Sequence, residues 1–168
     1  MRVIFTMVML ICGCSQVAEA LQTCPPGTPR IALDSRYSDN GSNTVTDNET
    51  GLIWKRCSEG QSGASCGGAA TAMTWSVALA AGANSKFAGF NDWRLPNVKE
   101  LSSLVEIGCF GPAVNELHFP NTPSTSYWSS SSSSAFAQLA SMINFNDGHV
   151  FVNAKGGNLH VRLVRGGQ

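Results

Sequence analysis

The sequence predicts an α+β fold in which two helices pack on short antiparallel sheets. Short apolar runs alternate with turns rich in Asn, Asp and Gly along most of the chain, and two segments carry helical periodicity. The chain has 168 residues, a length typical of one domain. Hydrophobic residues make up 43% of the chain, which is enough apolar material for one core.

The first predicted helix follows Thr74, which is placed to cap its N-terminus. Trp75, Ala78 and Leu79 fall on one face of this helix, at the spacing of successive helical turns. Gly82 is predicted to end the helix, because glycine is favoured just past the last helical turn.

The second predicted helix has the stronger start signal. Asn97 is placed as the N-cap and Glu100 occupies the third helical position, which is the arrangement of a capping box. Gly108 is predicted to stop the helix. Its buried stripe is predicted to consist of Leu101, Leu104 and Val105.

The predicted strands are short and begin or end at turn signals. They cover residues 44–46, 52–56, 126–128, 138–145, 148–152 and 159–165. The sequence Asn146-Asp147-Gly148 predicts a hairpin turn between two of them. The serine run at 129–134 has no apolar residue to anchor it, so it is predicted to be an exposed, mobile loop.

Residues 1–20 have the pattern of a secretory signal peptide. Their apolar run at 3–11 is too short to span a bilayer, and Ala18-Glu19-Ala20 has the small-residue pattern of a cleavage site. An alternative stays open, in which Cys14 is lipidated as the first residue of a lipoprotein. Both interpretations predict export without a transmembrane segment. The protein would be periplasmic, secreted or held at the cell surface, with an outer-membrane lipoprotein as the lipidated form.

Export makes the remaining cysteines candidates for disulfide bonds. They are Cys24, Cys57, Cys66 and Cys109, and three pairings are open. We favour Cys57–Cys66, which closes a Gly- and Ser-rich loop, together with Cys24–Cys109. Prolines are expected to keep a leader at 21–35 extended ahead of a domain at 36–168. The cysteine spacings contain no C-x2-C pair, so no metal site is predicted.

The charge balance and the polar residues argue against several function classes. The chain has 11 basic and 11 acidic residues and no basic run, so nucleic-acid binding is not predicted. No histidine has an evident nucleophile partner, and the serines lack a G-x-S-x-G context. A glycoside hydrolase would need a pair of carboxylates, and the candidates are Asp39, Asp47, Glu100 and Asp147. Nothing in the sequence singles out two of these four. We therefore predict no enzyme activity and no cofactor.

Buried and functional roles compete at several aromatic and basic residues. Trp93 and Arg94 together would suit a sugar, but we favour Trp93 in the core and Arg94 bound to backbone carbonyls at the helix entry. Arg162 and Arg165 lie in an otherwise apolar strand, so both are expected to be paired inside the fold. Their candidate partners are Asp92 and Glu100.

The candidate ligand contacts lie in the turns of the second half, because loops on a rigid scaffold commonly carry recognition. Their amide and basic side chains suit sugar hydroxyls or a protein epitope. The alternative is that Asn and Gly merely form turns there. The candidates are Asn144, Asn146, His149, Asn153, Lys155 and Asn158.

Five motifs in a fixed order resemble the C-terminal domain family of the legionella collagen-like protein. They stand at 36–47, 50–54, 92–101, 127–130 and 161–165, the third containing Asp-Trp-Arg-Leu-Pro-Asn. The resemblance runs from about residue 36 to 166 and implies a C-type-lectin-like version of the α+β fold. It also implies adhesin-like binding of sulfated polysaccharide, although this chain lacks the net positive charge on which that activity rests. The lectin tripeptides Glu-Pro-Asn and Gln-Pro-Asp are missing, so calcium is not predicted.

The sequence therefore predicts an exported binding module for an extracellular glycan or protein, and a homo-oligomer is open. A structural or oligomerisation module of the cell envelope is the first alternative. A hydrolase is the second, in case folding assembles a catalytic site that the sequence does not reveal.

Overall fold

The computed structural model describes residues 22–166. The predicted signal peptide at 1–20 and the alternative lipidation site at Cys14 lie outside the described residues. Within the described range, every helix is too short or too polar to cross a bilayer.

The described chain has two helices and two antiparallel sheets, which confirms the predicted α+β class. The C-type-lectin-like arrangement within that class stays a prediction. The helices are α1 (Trp75–Asn84) and α2 (Val98–Ser102). The strands are β1 (Tyr37–Asp39), β2 (Thr44–Asp47), β3 (Ile53–Lys55), β4 (Ser126–Ser132), β5 (Leu139–Asn144), β6 (His149–Ala154) and β7 (Val164–Arg165).

The first sheet has the order β1-β2-β3-β7 and joins the two halves of the sequence. Trp54 is fully buried in β3 and pairs with Val45 on one side and Val164 on the other. The strands predicted at 44–46 and 52–56 are confirmed as β2 and β3.

Both helices differ in length from their predictions. The α1 helix continues two residues past Gly82, and Thr74 makes no side-chain capping bond. A Cβ added at Gly82 would lie 2.8 Å from Arg94 Cα, so this glycine permits a close approach of two backbones and does not end the helix.

The capping box of α2 is confirmed. Glu100 N–H donates to Asn97 Oδ1 at 2.9 Å, and Asn97 N–H donates to Glu100 Oε2 at 2.8 Å. The helix ends at Ser102, well before Gly108, so the predicted C-terminus was wrong. Leu104 and Val105 are nevertheless buried, because tight turns continue the apolar stripe into the core.

The second sheet has the order β4-β5-β6, and its first strand corrects the prediction for the serine run. The β4 strand extends through Ser132, and Ser129 is fully buried. Its hydroxyl donates to Ser141 O at 2.8 Å, and Ser130 N–H donates to Pro96 O at 2.7 Å. Hydrogen bonds thus anchor a segment that carries no apolar side chain.

The hairpin of β5 and β6 is formed around the predicted Asn146-Asp147-Gly148 turn. The single strand predicted at 159–165 is wrong. Leu159 pairs with Met73 and His160 with Tyr127, and only Val164–Arg165 joins the first sheet as β7. This segment passes from one sheet to the other and therefore cannot keep one set of neighbours.

Buried side chains form two clusters. The larger contains Trp54, Leu101, Leu104, Phe119, Tyr127, Ile143 and Phe145, among others. The smaller lies by α1 and contains Ala78, Trp93, Leu95, Trp128, Ala140, Val161 and Leu163. Apolar residues of the predicted helices and strands supply most of both clusters.

Both predicted disulfides, Cys24–Cys109 and Cys57–Cys66, are present. The first fastens the segment after residue 21 to the body of the domain, where Thr23 also pairs with Phe110.

The fully buried carboxylate of Glu106 accepts hydrogen bonds from the backbone N–H groups of residues 31, 32 and 108.

Candidate functional site

The six candidate ligand contacts fall at two opposite ends of the β5–β6 hairpin. In the strand register Asn144 pairs with His149, whereas Asn153 pairs with Ala140. His149 and Asn153 are four residues apart in one strand, which corresponds to about 13 Å. The first group is Asn144, Asn146 and His149, and the second is Asn153, Lys155 and Asn158. The structure therefore does not bring the six into one pocket.

Lys155 belongs to the second group, and its ammonium is bound by other residues of the domain. Its ammonium donates to Ser132 Oγ at 2.8 Å and to Ala137 O at 2.7 Å. It also lies 4.2 Å from the ring centroid of Trp75, a cation–π distance. These contacts connect the end of β6 with β4 and α1, so the side chain has a structural role.

Two of the amides are also used locally. Asn144 Oδ1 accepts from the Asn146 N–H, and Asn153 Oδ1 accepts from the Ala154 N–H. The side chains of Asn146 and Asn158 are exposed, and His149 is 71% exposed beside Asp147. As ligand contacts these residues stay a prediction.

An exposed apolar strand connects the two groups. Val150, Phe151 and Val152 of β6 are 53%, 48% and 52% exposed. They lie on both faces of the strand, because successive side chains of a strand alternate. The sequence predicted a strand at 148–152 without showing whether its side chains are exposed. It missed the exposure because nothing in the local pattern says that β6 is an edge strand.

A pocket of about 200 Å³ lies beside the Cys57–Cys66 loop, away from the predicted contacts. Lys55 at the end of β3 and Glu59 form one wall, and Phe87 forms another. The disulfide closes the loop that carries the polar rim. Its lining residues are Asn43, Lys55, Phe87 and residues 57–63.

The charged pair of the pocket is largely removed from solvent. Lys55 Nζ lies 2.9 Å from Glu59 Oε1, and the two side chains are 11% and 22% exposed. The same ammonium lies 4.7 Å from the ring centroid of Phe87. Within residues 22–166, Glu59 is the one hydrogen-bond acceptor of this ammonium group. An ammonium has three N–H groups, so two of them make no hydrogen bond to a described residue, and the rings of Phe87 and Trp93 lie within cation–π distance.

Backbone contacts fix the rim of the pocket. Glu59 N–H donates to Val161 O at 2.9 Å, and Glu59 O accepts from the Thr71 N–H at 2.7 Å. Gln61 donates to Asn121 O, and its own oxygen accepts from the Ser58 N–H. The polar atoms of this wall are therefore held in place before any ligand enters.

Below the rim, Ser58 Oγ lies 2.6 Å from the hydroxyl of Tyr127. Burial raises the pKa of the Tyr127 phenol. The hydroxyl accordingly stays neutral at physiological pH and bonds Ser58 as part of the core.

The carboxylates proposed for a hydrolase are each engaged by a basic side chain. Asp39 pairs with Arg56, Asp47 with Arg36, Glu100 with Arg94 and Asp147 with His149. Among residues 22–166, no three His, Cys, Asp or Glu side chains cluster closely enough to hold a metal ion.

The basic and aromatic residues have largely structural roles. Trp93 is 2% exposed, which confirms its place in the core. Arg94 donates two 2.7 Å hydrogen bonds to the Glu100 carboxylate. Its main partner is therefore a carboxylate, and the prediction that it bonds mainly to backbone carbonyls was wrong. A carboxylate offers the planar guanidinium two aligned acceptors. Arg165 pairs with Asp92, one of its two candidate partners, at 2.7 Å, but the Asp92 side chain is 49% exposed, so the pair does not lie inside the fold as predicted.

Arg162 is fully buried, as expected, but its predicted acidic partner was wrong. Its guanidinium donates to Arg56 O and to Thr122 Oγ1, and lies 4.8 Å from the Phe119 ring. The side chain points between the first sheet and the 119–122 turn, while Asp92 and Glu100 are bound to other arginines. Burial lowers the pKa of Arg162 from its ordinary value.

A family model for the Lcl C-terminal domain matches residues 43–165. The chain belongs to the Lcl C-terminal domain family. The match extends from just before β2 to the end of the described strands, so it includes both the pocket and the hairpin. The family predicted from the motifs is thereby confirmed. No curated protein sequence matches the chain.

Proposed function

We propose that this Lcl C-terminal domain is an exported, non-catalytic module that binds a neutral glycan in the pocket of Lys55, Glu59 and Phe87. The observation that carries the proposal is a buried ammonium and a partly buried carboxylate held 2.9 Å apart beside an aromatic side chain. Two disulfides support export, because such bonds persist in oxidising compartments.

The pair at Lys55 and Glu59 matches the hydrogen-bonding chemistry of sugars. Each sugar hydroxyl both donates and accepts, so neighbouring hydroxyls can bond to the ammonium and the carboxylate together. Phe87 supplies the apolar wall that ligand pockets combine with a few oriented polar groups. The fixed rim limits the ordering cost of binding.

The charge of the pocket favours a neutral ligand over a sulfated one. Lys55 and Glu59 compensate each other, and a sulfate placed against Lys55 would also approach the Glu59 carboxylate. The chain as a whole carries no net charge that would attract an anionic polymer. This is where the proposal departs from the sulfated-polysaccharide binding that the family resemblance implied.

A second candidate function, a structural or oligomerisation module of the cell envelope, is favoured by the exposed apolar residues of β6. Exposed apolar surface of this kind commonly marks an interaction site. The amides at the ends of the hairpin would border such a contact.

A glycan array with neutral and sulfated oligosaccharides tests the proposal. Lys55→Met and Glu59→Gln should each reduce binding to the neutral glycans by at least about tenfold, since each removes a charged hydrogen bond. Lys99→Met, at an exposed lysine on α2, is the matched control and should bind like wild type. Urea unfolding of every variant reports whether the domain still folds.

A variant with alanine at Asn146, His149 and Asn158 separates the pocket from the hairpin. If it lost binding while the pocket variants kept it, the ligand site would belong on the hairpin. Binding to sulfated glycans alone, or to none, would overturn the neutral-glycan proposal.

A further inference from the structure

The outer edge of β6 has none of the features that keep an edge strand from pairing. Its register with β5 runs through six residue pairs without a bulge, and the strand contains no proline, lysine, arginine or carboxylate. Val150, Phe151 and Val152 are each about half exposed. Edge strands of monomeric proteins are ordinarily protected by charge, proline, bulges or covering segments.

The register shows which backbone groups of β6 face outward. Lys155 N–H donates to Gln138 O, and Phe145 N–H donates to Thr125 O on the other side of β5. Hydrogen-bonded and non-hydrogen-bonded pairs alternate along an antiparallel ladder. Both bonds require that the N–H groups of Val150 and Val152 point away from β5.

The groups flanking these two are already occupied. Outward groups alternate along the strand, so the next ones belong to Gly148 and Ala154. The Ala154 N–H donates to Asn153 Oδ1 at 2.9 Å, and the Gly148 N–H donates to Asn144 O at 2.7 Å. The backbone N–H and C=O groups of Val150 and Val152, on either side of Phe151, therefore form a short row of unpaired outward groups. Such a row can accept one short strand.

We propose that two copies of this chain pair antiparallel through β6 about a twofold axis at Phe151. In this register Val150 faces the partner's Val152, and Val152 faces the partner's Val150. Both are hydrogen-bonded pairs, so every outward N–H of the row finds a carbonyl. The two three-stranded sheets become one six-stranded sheet.

The side chains fit the same register. Phe151 meets the partner's Phe151 in a non-hydrogen-bonded pair, where cross-strand side chains lie closest. Valine meets valine on the other face. The ends of the row place His149 opposite the partner's Asn153, so no like charges meet. The sequence Val-Phe-Val is its own complement, and this selects a second copy as the occupant. The pairing does not depend on glycan binding.

Cysteine crosslinking tests the register. Phe151→Cys should oxidise to a covalent dimer, because residues across a non-hydrogen-bonded pair have Cα atoms about 4.5 Å apart, within disulfide range. His149→Cys should stay monomeric on a non-reducing gel, since its thiol would lie about 13 Å from the partner's His149→Cys. The four cysteines of the described chain are all in disulfides. Equal crosslinking of both variants would overturn the register.

Sedimentation over a concentration series tests the dimer itself. Wild type should dimerise, and Val152→Lys should be monomeric because it places a charge opposite the partner's Val150. Val77→Lys is the matched control, since Val77 on α1 is also 52% exposed, and it should dimerise like wild type. A monomeric wild type, or equal dimerisation of Val152→Lys, would overturn the proposal. If Val152→Lys binds a soluble monovalent sugar like wild type, the substitution has left the pocket of Lys55 and Glu59 intact, so loss of the dimer is distinguished from loss of glycan binding.

Discussion

The ion pair between Arg36 and Asp47 offers a direct test of what stabilises the first sheet. Asp47 ends β2 with a fully buried carboxylate, and the Arg36 side chain is 8% exposed. Arg36 Nε donates to Asp47 Oδ1 at 2.8 Å. The carboxylate also accepts from the Thr50 hydroxyl at 2.8 Å and the Glu49 N–H at 3.1 Å.

The substitution Asp47→Asn keeps the size of the side chain and removes its charge. It leaves the Arg36 guanidinium buried without its main partner, which costs about 3–5 kcal/mol in comparable buried pairs. Glu49 still lies 3.2 Å from Arg36 Nη1, although it is 64% exposed. We therefore expect the low end, about 3 kcal/mol less free energy of unfolding at pH 7.

The effect of this variant should depend on pH. Burial raises the pKa of Asp47, but the hydrogen bonds from Arg36 and Thr50 outweigh it and hold the pKa below its ordinary value. Since the folded pKa is lowered, the stabilisation is present above the unfolded pKa of about 4 and is lost as the pH falls through the folded pKa. The difference between wild type and Asp47→Asn should therefore narrow below about pH 4.

Urea unfolding followed by tryptophan fluorescence at several pH values measures this difference. Asp92→Asn is the control, because Asp92 also pairs with an arginine at 2.7 Å but is 49% exposed. Exposed pairs contribute little, so its loss should be much smaller. Equal losses for the two variants, or a difference for Asp47→Asn that does not change with pH, would refute the account of a buried and dominant pair.

Three further changes have expected effects on the urea unfolding free energy. Asn97→Ala removes the α2 capping bond and should cost about 1 kcal/mol; no loss would contradict the capping role. Gly82→Ala places a Cβ 2.8 Å from Arg94 Cα and should cost about 1–3 kcal/mol, whereas Gly156→Ala, with open space around it, should cost far less. Replacing the Cys24–Cys109 pair by alanines should cost roughly 4–5 kcal/mol and the Cys57–Cys66 pair roughly 2–3, because the closed loops span 85 and 9 residues. The reverse order would contradict the loop-entropy argument.

The features predicted correctly are those whose cause lies within a few residues. The capping box at Asn97 and Glu100 and the Asn146-Asp147-Gly148 turn each depend on hydrogen bonds between near neighbours. Such bonds form in almost any surroundings, so the sequence alone specifies them. The cysteine pairing was also accessible, since one pair closes a short loop and leaves the other two cysteines to pair.

The features missed depend on distant partners. Ser129 can be buried without leaving its hydroxyl unpaired because Ser141 O accepts its hydrogen, and the local run of serines contains no sign of that partner. Arg162 is enclosed by backbone carbonyls and an aromatic ring, which no search for acidic partners would find.

The pocket was missed for the same reason. Its walls come from β3, from the disulfide loop and from the turn at Phe87, which are far apart in the chain. The i, i+4 spacing of Lys55 and Glu59 was visible, but such spacing is a signal only on a helix, and this segment is not one.

Pairing through β6 and binding at Lys55 and Glu59 together predict a behaviour that neither predicts alone. One charged pair beside one aromatic ring supports only weak binding of a single sugar. A dimer carries two pockets, and a second contact on the same surface becomes intramolecular, which multiplies the apparent affinity without any new contact. Val152→Lys should then lose binding to densely immobilised glycan while its affinity for soluble sugar stays unchanged. Equal losses in both formats would mean that the substitution damages the pocket, and no loss in either would mean that the two pockets do not act together.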